Sequence, residues 1–164
     1  RLCDGTNFSP QFIEDKLKFI PVAQEAVVFG EGQSFLIALI NIDARLVGHW
    51  AESNRVAFTT YRDLAGHPKV YDLFAGHIEK INARLPDKFR IRKFVLLPKE
   101  LDADDGELTR TNKVRRSVIE LKYRSVVEDL YRSDRTTARL SIDVAFRSGN
   151  TQRLEADLAI RELS

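Results

Sequence analysis

An α+β fold, a small mixed β-sheet flanked by helices with an additional C-terminal β-hairpin, is predicted by three observations. Two apolar runs, Ala26-Val27-Val28-Phe29 and Phe35-Leu36-Ile37-Ala38-Leu39-Ile40, are separated by the turn signal Gly30-Glu31-Gly32-Gln33. Apolar residues recur at helical spacing between positions 61 and 85 and again between 114 and 131. In the tail, Leu140, Ile142, Val144 and Phe146 alternate with polar residues, as do Leu154, Ala156, Leu158 and Ile160. With 164 residues and 43% hydrophobic content, the chain can fill a core without staples.

Each element has its own local signal. Ser9-Pro10 ahead of Phe12, Ile13 and Leu17 reads as a capped helix start, because Ser accepts from orphan amides and Pro pre-sets the first helical φ. That helix is expected to reach about Phe19. The hairpin follows, with its second strand apolar on both faces. Leu46, Val47 and Trp50 mark a further helix. Tyr61 and Leu64 mark a short one, broken at His67-Pro68, and Val70 to Leu85 a longer one ending near Leu85-Pro86. These helices are expected to cover one face of the sheet. Residues 89–98 give another strand, residues 99–112 a loop too charged for the core, and residues 114–131 one long amphipathic helix. The tail turns at Ser148-Gly149-Asn150. The expected organisation is a unit over residues 1–133 with an appended hairpin, 134–164, packed on it and covered by Tyr131 and the preceding helix.

Composition removes several function classes. The net charge is +2 with both signs interspersed, which lacks the one-sided basic face of a nucleic-acid binder. The longest apolar run, residues 35–40, is far shorter than the roughly 20 residues of a membrane-spanning helix. A single cysteine, Cys3, excludes an intramolecular disulfide and fits a reducing, cytoplasmic compartment. His49, His67 and His77 stand at no mutual ligand spacing, so no metal site is expected. Asp102-Ala103-Asp104-Asp105-Gly106-Glu107 resembles a calcium loop only superficially, since its glycine comes one position early and no Glu follows at the twelfth position. Gly30-Glu31-Gly32 is too short for a dinucleotide fingerprint, and no nucleophile elbow accompanies the histidines.

The segment Thr109-Arg110-Thr111-Asn112-Lys113-Val114-Arg115-Arg116 stands apart. A lysine at the end of a Gly- and Thr-bearing loop, just before a helix, can offer a cation and backbone donors to an anion. Chemistry alone leaves a second reading open, a solvated basic helix start.

This segment resembles the closing motif of the adenylate-forming superfamily, in the form seen in long-chain fatty acyl-CoA synthetases. Gly5-Thr6-Asn7-Phe8-Ser9-Pro10-Gln11-Phe12-Ile13-Glu14 resembles the same family's segment just after its interdomain hinge. Ala26-Val27-Val28-Phe29-Gly30, the Trp50 helix, and Ile81-Asn82 before the Phe94 strand fall in the family's order, so the resemblance covers roughly residues 1–131. It implies a mobile C-terminal domain, cut at its hinge and inert alone, whose partner is the N-terminal adenylation domain of the same chain. Such enzymes use ATP and Mg²⁺ to make an acyl-adenylate from a fatty acid, then transfer the acyl group to coenzyme A.

Lys113 matches the lysine of adenylation, and Thr109, Thr111 and Arg115 its supporting loop. Gly5 matches the glycine lining the CoA channel. Cys3-Asp4 departs from the small residues usual before that glycine. Peripheral membrane contact through the full-length enzyme is compatible with this reading. The alternative expectation is a free-standing interaction or regulatory module that reuses the fold, with the tail hairpin as its recruiting edge.

Overall fold

The computed structural model describes residues 1–145 and 150–163. Helix α1 (Pro10–Lys18) starts where expected: Ser9 accepts from the Phe12 amide, and Pro10 occupies the first turn. Strands β1 (Ala23–Phe29) and β2 (Leu36–Ile42) form the antiparallel hairpin. Its turn needs Gly32 at φ +70. A Cβ on Gly30 would lie 2.2 Å from the Leu36 side chain, so any other residue there would have to displace that buried leucine.

Three helices carry the crossover, namely α2 (Ala44–Ser53), α3 (Tyr61–Ala65) and α4 (Pro68–Asn82). Asp43, Thr60 and His67 accept at their respective N-termini, and α4 stops three residues short of the expected Leu85. A single 3₁₀ turn, Asp87–Phe89, leads into β3 (Ile91–Leu96), which pairs parallel with β2.

The four-stranded sheet has the order β1-β2-β3-β6, where β6 (Arg161–Glu162) joins the edge of β3 antiparallel. This sheet is mixed, as predicted, and β2 is buried along its whole length because both faces are covered. Leu36, Ala38, Ile40 and Ile42 enter one core with residues of α1, α2 and α4, including Leu17, Val47 and Phe74. Ile37 and Leu39 enter a second core on the opposite face.

That second core is built by α5 (Arg116–Lys122), α6 (Arg124–Leu130) and the hairpin of β4 (Thr137–Ala145) with β5 (Thr151–Ala159). Ala138, Leu140 and Ile142 pair across the hairpin with Leu158, Ala156 and Leu154. Ala138, Leu140, Ile142, Ala156 and Leu158 are buried in the same cluster as Ile119, Tyr123, Val126 and Leu130. The opposite hairpin face carries exposed ion pairs such as Arg139–Asp157 and Arg153–Asp143. Phe146 and most of the expected turn at Ser148-Gly149-Asn150 lie outside the described residues. Among the described residues, no helix is long and apolar enough to cross a membrane.

Three expectations are corrected. The long helix over 114–131 is two helices, broken at Tyr123 (φ −105, ψ 16). Apolar periodicity runs through the break because Ile119, Tyr123, Val126 and Leu130 all face one core. The segment 99–112 is not excluded from the interior, since Leu101 and Glu107 are buried. Charge could enter because it is paired there. After β5 the tail also returns to the main sheet as β6, a two-residue strand too short for any alternation to show.

Candidate functional site

Lys113 does not stand directly before a helix. Helix α5 begins at Arg116, and residues 107–115 instead fold back on themselves. The Arg115 amide donates to the Glu107 carbonyl (2.9 Å), Leu108 and Val114 form a β-bridge, and the Thr109 amide donates to the Lys113 carbonyl (2.8 Å). Thr109 also accepts the Lys113 amide on Oγ1 (3.0 Å), and that hydroxyl lies 3.1 Å from Thr111 Oγ1. Asn112 makes the turn at φ 63, a left-handed conformation that asparagine tolerates better than most residues.

Of the residues singled out from sequence, Thr109 bonds Lys113 directly, Thr111 lies against the Thr109 hydroxyl, and the Arg115 amide closes the base of the hairpin on Glu107. The Lys113 backbone is fully engaged and its side chain is exposed. Among the described residues its ammonium forms no ion pair. It borders an open groove of about 820 Å³ shared with Ser9, Gln11, Glu14, Asn112 and Arg116.

The two motifs noted in the sequence meet at this groove. Glu14, from the first, forms an ion pair with Arg116, from the second. Glu14 Oε2 also accepts the Val28 amide (2.7 Å), and Arg116 Nη1 donates to the Val28 carbonyl (2.8 Å). One peptide position of β1 is thereby clamped by α1 and α5 together.

Gly5 is held elsewhere and does not line this groove. Its amide donates to the Leu2 carbonyl, and the Leu2 amide donates to Thr6. Cys3 ties the turn to Gln33 of the β1–β2 connection. Lys88 pairs with Asp4 at 2.7 Å, and this contact, with the Thr6 hydroxyl and amide after it, holds the exposed Asp4 carboxyl well below the usual carboxylate range. Gly5 itself has φ +85, and an added Cβ would meet nothing within 4 Å. Asp4 is thus part of the turn's anchorage.

A group missed by sequence reasoning lies beneath the Lys113 hairpin. The fully buried Glu107 carboxylate pairs with Lys99 and Lys122 and accepts from Tyr123 Oη (2.7 Å) and the Asp102 amide (3.2 Å). Lys99 also pairs with Asp105 at 2.9 Å. Burial first, then the neighbouring Glu107, pushes the Tyr123 phenol far above its ordinary range, so Tyr123 is the donor. No local pattern separates Glu107 from Asp102, Asp104 and Asp105, so the sequence offers no signal for it.

The profile of the AMP-binding enzyme C-terminal domain matches residues 1–135. The chain belongs to that family. This AMP-binding C-terminal domain is 34% identical over 131 residues to the long-chain-fatty-acid–CoA ligase FadD15 of Mycobacterium tuberculosis, covering 79% of this chain and 22% of the relative. It is 29% identical over 147 residues to the long-chain-fatty-acid–CoA ligase ACSBG2 of Mus musculus, covering 79% and 22%. The chain thus spans about a fifth of the length of these curated relatives.

Among solved structures, the domain superposes on the adenylation domain of a carboxylate reductase from Mycobacterium chelonae with a TM-score of 0.62 at 19% identity, over 80% of this chain and 19% of that one. A second, the didomain of carboxylic acid reductase from Segniliparus rugosus in complex with AMP, gives 0.61 at 17% identity, over 80% and 17%. At these identities the likeness is one of fold.

Proposed function

We propose that this domain is the C-terminal part of an ATP-dependent long-chain fatty acid–CoA ligase, working against an N-terminal adenylation domain. The observation that carries the reading is Lys113, held by its backbone beside an open groove with an ammonium that forms no ion pair among the described residues, in a chain of this family. A fatty carboxylate attacking the α-phosphate of ATP brings two anions together. A fixed cation between them offsets their repulsion as charge redistributes in the transition state. Lys113 has that role, and Thr109, Thr111 and Arg115 hold its loop. Gly5 serves the second half-reaction, in which a bare backbone borders the path of the CoA thiol.

Among the described residues, no group of three or more His, Cys, Asp or Glu is arranged to hold a metal ion. One lysine on an open groove is not a concave binding site, so the domain alone is inactive. The compartment that suits the single exposed Cys3 is the cytoplasm.

The test is Lys113→Ala in the full-length ligase. Acyl-adenylate formation, followed by pyrophosphate exchange, should slow by about 10²-fold, the scale of losing one preorganised donor to developing charge. Thioester formation from supplied acyl-adenylate should be spared. Equal falls in both half-reactions would remove Lys113 from a dedicated adenylation role.

A further inference from the structure

We propose that Glu107 is a positioning residue for adenylation: its buried carboxylate roots the hairpin that carries Lys113 and so sets where that ammonium stands. The inference rests on the reading of Lys113 above. The Glu107 side chain accepts from three donors, Lys99 Nζ, Tyr123 Oη and the Asp102 amide, and forms an ion pair with Lys122 (3.4 Å), whose ammonium donates to the Asp105 carbonyl. Its backbone amide donates to the Asp102 carbonyl (3.0 Å), and its carbonyl accepts from Arg115 (2.9 Å). The last of these bonds closes the base of the hairpin, with the Leu108–Val114 bridge directly above it and Lys113 above that.

Contacts continue downward into the sheet. Asn41 of β2, itself buried, donates Nδ2 to the Lys99 carbonyl (2.8 Å) and accepts the Leu101 amide on Oδ1 (2.8 Å). The segment that brings Lys99 to Glu107 is thereby fastened to the central strand. On the other side Lys122 and Tyr123 belong to the end of α5, and the break at Tyr123 lets that phenol reach Glu107. A continuous set of direct contacts thus joins β2, α5 and the root of the Lys113 hairpin, with Glu107 common to all of it.

Packing alone does not call for this arrangement, because well-packed apolar side chains often fill such a space with equal or better stability. What charge adds is direction. Two lysines and a phenol converging on one carboxylate admit few geometries, whereas an apolar contact admits many. Because the Lys113 amide and carbonyl are both spent within the hairpin, the root settles the position of everything but the lysine stem. A displacement of about 1 Å at the reacting centre can cost on the order of 10²-fold in rate.

The experiment uses the full-length ligase with Glu107→Gln and Tyr123→Phe, each measured in both half-reactions and by amide hydrogen exchange across residues 108–114. Glu107→Gln keeps the shape and an acceptor oxygen but removes the charge. Expected are a fall of about tenfold or more in kcat for pyrophosphate exchange, an unchanged KM for ATP, unaltered thioester formation from supplied acyl-adenylate, and faster exchange in the hairpin. Tyr123→Phe removes one donor without leaving a charge unpaired, and should give the same selective loss on a smaller scale.

A proportional fall in both half-reactions, or normal adenylation with normal exchange, overturns the proposal. If Glu107→Gln does not fold, Tyr123→Phe decides by the same criteria. Lys113→Ala in the same assay separates the two ideas. Adenylation untouched by Lys113→Ala removes the reading of Lys113, while adenylation lowered by Lys113→Ala and untouched by Glu107→Gln removes Glu107 alone.

Discussion

Gly5 shows how one backbone angle can hold a role open. At φ +85 an L-residue is strained, yet the space an added Cβ would enter is empty. The strain is local, since the turn is tied at Leu2, at Cys3 and through Asp4 to Lys88. Gly5→Leu in the full-length ligase should therefore leave the fold and the Lys113 hairpin intact while putting a side chain into open space. On the proposed reading, first-turnover pyrophosphate release survives and acyl-CoA production falls by about 10²-fold, the scale of a blocked or misplaced reactant. Normal acyl-CoA output would remove Gly5 from the channel.

At the scale of elements, the hairpin of β4 and β5 is the part whose stability depends most on its surroundings. An isolated two-stranded hairpin is marginal in water, and this one buries Leu140, Ile142 and Leu158 against α5 and α6. Each such side chain contributes about 1.5–3 kcal/mol when buried. Truncation after Ser133 removes all three, uncovers Tyr123, Val126 and Leu130, and deletes β6 from the sheet edge. The melting temperature should drop by about 10 °C or more, with increased binding of a hydrophobic dye. An unchanged melting temperature combined with loss of a dimer on size exclusion would instead make the hairpin an association device, and would favour the interaction-module reading.

Across the whole molecule, all four tyrosines report on packing. Burial pushes Tyr71 up to about 12 from its ordinary 10.0, and pushes Tyr61, Tyr123 and Tyr131 higher still. Their hydroxyls bond to the backbone at Leu96, Ile42, Phe29 and Phe35, or to Glu107. Because each folded pKa exceeds the unfolded one, the stabilisation is complete below about pH 10 and is lost as pH rises through the folded values. Phenolate absorbance and loss of far-ultraviolet circular dichroism should therefore appear together, in one transition above pH 10. Phenolate forming near pH 10 with the dichroism unchanged would show that the tyrosines ionise without unfolding.

Local chemistry was legible wherever near neighbours decide the outcome. Ser9-Pro10, the Gly32 turn, the His67-Pro68 break and the alternation from 140 to 158 each predict an element through capping, backbone freedom or side-chain period. The Lys113 and Gly5 segments stood out differently, by their resemblance to the family's motifs, because local chemistry alone left Lys113 readable as a solvated basic helix start. Tertiary structure alone decided that Glu107 is interior while Asp102 and Asp104 beside it are exposed, because only the folded chain brings Lys99, Lys122 and Tyr123 to one carboxylate. It alone broke the helix at Tyr123, paired β6 with β3, and joined Glu14 to Arg116 across 102 positions of chain. Hydrophobic period and capping act within a few residues and leave their mark on the local sequence. The cost of burying a charge is set by whichever partners arrive from far along the chain, and that is known only once the chain has folded.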